Sequence, residues 1–142
     1  MLTKIDHIGI AVHSLEEALP FYRDALGMTL AGTEEVANQK VRVALLTIGE
    51  SKIELLEPTS ADSPVAKFLE RNGSGVHHLA YSVADIEAVI AGLTAKGTRM
   101  IDAAPRDGAH GARIAFIHPK SSGGVLTELC QVPIGHSREA SC

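Results

Sequence analysis

Gly75-Val76-His77-His78-Leu79-Ala80-Tyr81-Ser82-Val83 repeats, with changes, a stretch near the start of the chain, Ile5-Asp6-His7-Ile8-Gly9-Ile10-Ala11-Val12. His78 matches His7 and Val83 matches Val12, both at a spacing of 71 residues (78 − 7 and 83 − 12). Further on, Glu54-Leu55-Leu56-Glu57-Pro58 is echoed by Glu128-Leu129-Cys130-Gln131-Val132-Pro133 at a spacing of 74 (128 − 54). Each copy offers one histidine and one glutamate at a matching place. The chain therefore reads as a duplicated module.

Around these anchors the two copies follow one plan. Residues 4 to 12 alternate, with Ile8, Ile10 and Val12 on one face of a strand and His7, Gly9 and Ala11 on the other. Ser14, with Glu17 three residues on, opens a helix through a capping box; Leu15, Leu19, Tyr22 and Leu26 form its apolar stripe and Gly27 ends it. Pro20 falls inside this pattern and should kink it or tighten its first turns. A short strand over 28–33 and a polar loop over 34–40 come next. Val41 to Ile48 and Ser51 to Glu57 then pair as a hairpin around Gly49-Glu50. In its second arm Lys52, Glu54 and Leu56 share one side, with Ile53 and Leu55 opposite.

Residues 59–74 form a linker carrying a short helix, with Ser63 as N-cap, Pro64 at the first position and Gly73 at the end. The second copy sets His78, Ala80 and Ser82 on one side of its strand and His77, Leu79, Tyr81 and Val83 on the other. Asp85 caps a helix whose Ile86, Val89, Ile90 and Leu93 follow the i, i+3, i+4, i+7 rule, and Gly97 closes it. A strand over 98–102, a glycine-containing loop from Pro105 to Gly111, and strands from Arg113 to His118 and Val125 to Val132 complete the plan. The polar tail from Gly135 should fray.

The expectation is thus a single domain over 1–142, with an internal repeat of 4–58 and 75–133 joined by the linker 59–74. Its class is α+β: two paired βαβββ modules forming a mixed curved sheet around a metal cleft, with the helices on the outer face. A chain of 142 residues is long enough to bury about two-thirds of its unfolded surface. Its 45% hydrophobic and 21% charged residues are ordinary for a soluble globular protein.

The net charge of −4 provides no basic field, which argues against nucleic acid or an anionic membrane as the main partner. No run of about 18 apolar residues offers a spanning helix. The first residues enter a strand pattern directly, so no secretory signal is expected. Cys130 and Cys142 make no disulfide framework, which points to a reducing, cytoplasmic setting.

The matched set is His7, Glu54, His78 and Glu128. Two imidazoles and two carboxylates suit a divalent first-row ion such as Co²⁺, Ni²⁺, Mn²⁺ or Zn²⁺, with positions left for water or substrate. A lone strand histidine is most often a satisfied polar residue, and a lone strand glutamate is usually solvated. Recurrence of both pairs in register outweighs those bland readings. His77 rivals His78, but it alternates with Leu79 and Tyr81 and should face a helix or support a ligand from behind. His13 lies beside a helix cap, His136 belongs to the tail, and loop solvation explains His110 and His118 as well as a place at the cleft does. Gly108 and Gly111 fit no phosphate-binding fingerprint, and Cys130 reads as a small core or cleft-wall residue.

These stretches, together with Ile53-Glu54-Leu55-Leu56-Glu57-Pro58, His118-Pro119-Lys120-Ser121 and Gly124-Val125-Leu126-Thr127-Glu128-Leu129, resemble the methylmalonyl-CoA epimerase family of the vicinal oxygen chelate superfamily. The resemblance runs from about residue 4 to 133. Glyoxalase I shares the opening strand, whereas the Gly108-Ala109-His110-Gly111 loop and the His118-Pro119-Lys120-Ser121 turn are more telling. The family implies a metal-dependent epimerisation of methylmalonyl-CoA by 1,1-proton transfer, an acyl-CoA as substrate and a homodimer.

It also implies a divalent ion, Co²⁺ before Ni²⁺, Mn²⁺ or Zn²⁺, with His7, His78 and Glu128 as ligands. One branch of the family has Gln in place of Glu54 and a Glu near Val43. This chain has Val43 and Glu54, so Glu54 is expected to serve as ligand, base or both, with Glu128 as the second catalytic carboxylate. Arg106 and Lys120 are candidates for the CoA phosphates or the substrate carboxylate, against plain solvation. A glyoxalase I-type lyase acting on a glutathione hemithioacetal is the nearest competing activity. A non-catalytic small-molecule binder of the same superfamily is the alternative from another class, and the full ligand set speaks against it.

Overall fold

The computed structural model describes residues 1–133; His136, Cys142 and the polar tail from Gly135 lie outside the described residues. In chain order the elements are β1 (Leu2–Ala11), α1 (Leu15–Leu19) continued by a π-helical segment (Pro20–Ala25), β2 (Thr29–Val36), β3 (Val41–Ile48), β4 (Ser51–Pro58), α2 (Pro64–Asn72), β5 (Gly75–Val83), α3 (Ile86–Ala95), β6 (Arg106–Asp107), β7 (Arg113–Ile117) and β8 (Thr127–Gln131). The class is α+β and the sheet is mixed: β5 runs parallel to β8, and the β2–β3, β3–β4, β6–β7 and β7–β8 pairs are antiparallel. The described residues divide into two compact units, Ile8–His77, and Met1–His7 together with residues 78–133.

In the Ile8–His77 unit the strands follow the order β2-β3-β4-β1. The hairpin closes with Ile48 opposite Ser51, a two-residue turn for which Gly49 supplies a positive φ of 57°. Beyond the end of β1, Val12 N–H donates to the Leu56 carbonyl at 2.9 Å. The core joins Val12 and Leu15 to Ala44, Leu46 and Leu55, with Leu19 and Tyr22 packed at its border, so the helix covers the Leu55 side of β4. Glu54, one residue away, points to the other side of β4 by strand alternation.

Ser14 caps α1 as expected, its hydroxyl accepting from Glu17 N–H at 3.3 Å. Pro20 does not tighten the helix but widens it: having no N–H, it cannot continue the 4-residue ladder, and Leu26 N–H reaches back five residues to the Phe21 carbonyl at 2.9 Å. The strand expected over 28–33 extends to Val36, because pairing with β3 (Glu34 opposite Val43, Glu35 opposite Arg42) holds polar residues that read locally as loop. Lys40, at φ 55°, turns the chain into β3. The linker helix is α2, capped by Ser63 and ended by Gly73 at φ 73°.

In the second unit the order is β1-β5-β8-β7-β6. The branched residues of α3 (Ile86, Val89, Ile90) pack on Ala115, Ile117 and Leu129, and Asp85 caps the helix through Ala88 N–H at 3.1 Å. On the opposite side of β7 and β8 lie Ile114, Phe116, Cys130 and Glu128, as the registers Ile114↔Cys130 and Phe116↔Glu128 require. Cys130 is fully buried in that layer.

Residues 98–102 do not form the expected strand. Only a bridge between Met100 and Ile117 is made, and Ile101 and Asp102 N–H both converge on the Phe116 carbonyl. The pairing strand lies instead at Arg106–Asp107, inside the stretch read as loop, with Arg106 opposite Ile114. Among the described residues no helix is long and apolar enough to cross a membrane.

Candidate metal centre

Three of the matched side chains converge within one unit. β1 presents His7 and β5 presents His78, and their Nε2 atoms lie 2.9 Å apart with the rings edge to face at 89°. From β8, Glu128 places Oε2 3.0 Å from His7 Nε2 and 3.5 Å from His78 Nε2. Glu128 stands between Ala80 on β5 and Phe116 on β7, and the methyl side chain of Ala80 leaves room for the carboxylate. All three residues are buried, at 0%, 5% and 3% exposure for His7, His78 and Glu128.

Behind His7 lies a pair the sequence reading passed over. Asp6 Oδ2 is 2.8 Å from His7 Nδ1, and Ser82 donates its hydroxyl to Asp6 Oδ1 at 3.0 Å. Asp6 is wholly buried and Ser82 nearly so. A carboxylate only accepts, so the shared proton belongs to Nδ1 and the Nε2 lone pair faces Glu128 and His78. The Asp-His dipeptide was visible in the sequence; that Ser82, 76 residues away, would meet it was not.

The arrangement fits a divalent cation. Glu128 Oε2 is buried without a hydrogen-bond partner. One proton on His78 Nε2 can serve His7 but not the carboxylate oxygen, whereas a cation among the three atoms satisfies all of them. Burial pushes the Glu128 carboxyl above its ordinary range, and His7 pulls it back. That is the balance expected of a carboxylate poised for a positive partner.

Phe116 walls the site, its ring edge-to-face with His78 at 5.8 Å. The Arg106 guanidinium carbon lies over that ring, 5.4 Å from its centroid, and Arg106 Nε reaches Asp102 Oδ1 at 3.3 Å, while Asp102 Oδ2 accepts from Phe116 N–H at 2.8 Å. Lys120 is exposed. His77 turns the other way from His78, its ring 5.0 Å from Phe68 of α2, and burial lowers its pKa. His13 and His110 are exposed and His118 is half-buried. Glu54 is buried on β4, opposite Leu45 of β3.

The profile of the Glyoxalase/Bleomycin resistance protein/Dioxygenase superfamily matches residues 6–116. The chain is 40% identical to the ethylmalonyl-CoA/methylmalonyl-CoA epimerase of Cereibacter sphaeroides, over 93% of this chain and 100% of that one. It is 39% identical to the mitochondrial methylmalonyl-CoA epimerase of Mus musculus, over 92% of this chain and 74% of the other. A variant of Streptomyces coelicolor methylmalonyl-CoA epimerase, solved in complex with 2-nitronate-propionyl-CoA, superposes with a TM-score of 0.92 at 45% identity, over 96% of this chain and 99% of that one. With identity of this order spread over nearly its whole length, the chain belongs to the Glyoxalase/Bleomycin resistance protein/Dioxygenase superfamily and, within it, to the methylmalonyl-CoA epimerase family.

Proposed function

We propose that the protein interconverts the (R) and (S) forms of methylmalonyl-CoA by removing and returning the proton on the carbon between thioester and carboxylate. The observation that carries this reading is the buried convergence of His7 Nε2, His78 Nε2 and Glu128 Oε2, in a chain whose relatives include epimerases of that substrate. His7, His78 and Glu128 are the proposed metal ligands. Glu54 is proposed as the fourth; its burial and its repeat relation to Glu128 support that role. A divalent ion held there would supply Lewis-acid stabilisation of the negative charge that develops on the thioester oxygen.

The chain's own groups do the remaining work. Glu54 and Glu128 come from corresponding strands of the two repeats, 4–58 and 75–133, and act as a pair of carboxylates, one taking the proton from its face and the other returning one. A carboxylate held firmly on a cation is a poor base, so at least one of the two would have to leave the ion, or stand behind a ligand, to carry the proton. Phe116 and the buried walls keep water from the reacting carbon. The active form is proposed to be a cytoplasmic homodimer.

Purified protein incubated with methylmalonyl-CoA in deuterium oxide should exchange the C2 proton, and a chelator should stop the exchange. Turnover of the methylglyoxal–glutathione adduct in place of methylmalonyl-CoA would overturn the assignment in favour of a lyase.

A further inference from the structure

We propose that Asp6 and Ser82 are positioning residues that set the metal affinity of His7. The inference rests on the reading of His7 as a ligand of a divalent ion. Its grounds are geometric. Asp6 holds the Nδ1 proton of His7 at 2.8 Å and is itself held by the Ser82 hydroxyl at 3.0 Å. The carboxylate has no exposure to water at all, and neither has the ring it serves.

A buried carboxylate is costly unless its oxygens are engaged. Here the two oxygens have separate tasks, one on the imidazole and one on the serine. This relay fixes the tautomer that leaves the Nε2 lone pair available, and it makes His7 a stronger donor. The same strand neighbours are also clipped through backbone, since Thr3 Oγ1–H donates to the Ser82 carbonyl at 3.1 Å. The ring therefore has a defined orientation before any ion arrives.

The relay does not follow the repeat. Asp6 corresponds to His77 (77 − 71), which turns to Phe68, and Ser82 corresponds to Ala11 (82 − 71), which has no hydroxyl. A first-copy aspartate is thus held by a second-copy serine, and no aspartate precedes His78 as Asp6 precedes His7.

The test uses the whole chain loaded with Co²⁺, whose visible absorption reports the ligand field. Asp6→Asn should weaken Co²⁺ binding about 10- to 100-fold and change the visible spectrum. Ser82→Ala should act in the same direction by a smaller factor, and it carries the test if Asp6→Asn does not fold. Metal-free Ser82→Ala leaves Asp6 Oδ1 without that donor and should melt somewhat lower than the metal-free parent, so Co²⁺ affinity is compared well below both midpoints, where a loss of affinity reports positioning rather than unfolding. Unchanged Co²⁺ affinity and spectrum in the variants, beside a parent that binds the ion, would overturn the relay alone. A parent that takes up no Co²⁺ overturns the metal reading and the relay with it.

Discussion

His7 and His78 were legible because strand alternation has a period of two and the repeat spacing carries the same side from one copy to the other. Their meeting at 2.9 Å makes a direct prediction. His7→Ala or His78→Ala should abolish stoichiometric metal uptake and lower epimerase turnover by about 100-fold or more, since each removes one of the two imidazole donors of the proposed site; metal analysis beside the exchange assay checks both. His77 gives a second prediction, of pH dependence. Burial holds its folded pKa below the ordinary 6.5, so between those two values the unfolded chain binds more protons than the folded one. Its contribution is present above pH 6.5 and is lost as pH falls through that window. His77→Phe keeps a ring against Phe68, and its thermal midpoint should drop less than that of the parent between about pH 7 and pH 5. The Asp6–Ser82 contact had no such sequence signature. It joins residues far apart in the chain, and neither alternation nor spacing reports a hydrogen bond between two strands.

At the level of elements, the helices were read most accurately because their ends carry local chemistry. The Ser14, Ser63 and Asp85 side chains each accept a backbone N–H at the start of their helix. Asp85→Ala should cost about 1 kcal/mol of stability. Ile86→Ala, at a fully buried position of α3, should cost about 2–5 kcal/mol, measured by denaturant unfolding. The misread elements are those decided by partners rather than by their own residues. β2 extends through Glu34 and Glu35 because β3 is there to pair with them. Residues 98–102 lose their strand because the Phe116 carbonyl already receives both Ile101 and Asp102. Gly108 shows the same tertiary control: a Cβ at this position would come within 2.7 Å of Ile114 Cγ2, and Ile114 is fully buried. Gly108→Ala should therefore destabilise the protein by about 1–3 kcal/mol through overpacking, as the same unfolding series would show.

For the molecule as a whole, metal and stability should be linked. An ion bound only by the folded chain raises stability by about 2.7 kcal/mol at a hundredfold excess over its Kd, so a chelator should lower the thermal midpoint and Co²⁺ should restore it. Equal midpoints with and without chelator would contradict this. The class and the run of elements were evident from the repeat; the division into compact units was not. The repeat breaks the chain over 59–74, whereas the compact units break it after His7, within β1, and after His77, within β5. Severing the gene at the linker would leave one fragment with Asp6 and His7 and the other with the serine that steadies them. If the relay sets the affinity of His7, neither piece alone carries the whole of it, and tight Co²⁺ binding should return only when the two pieces are mixed.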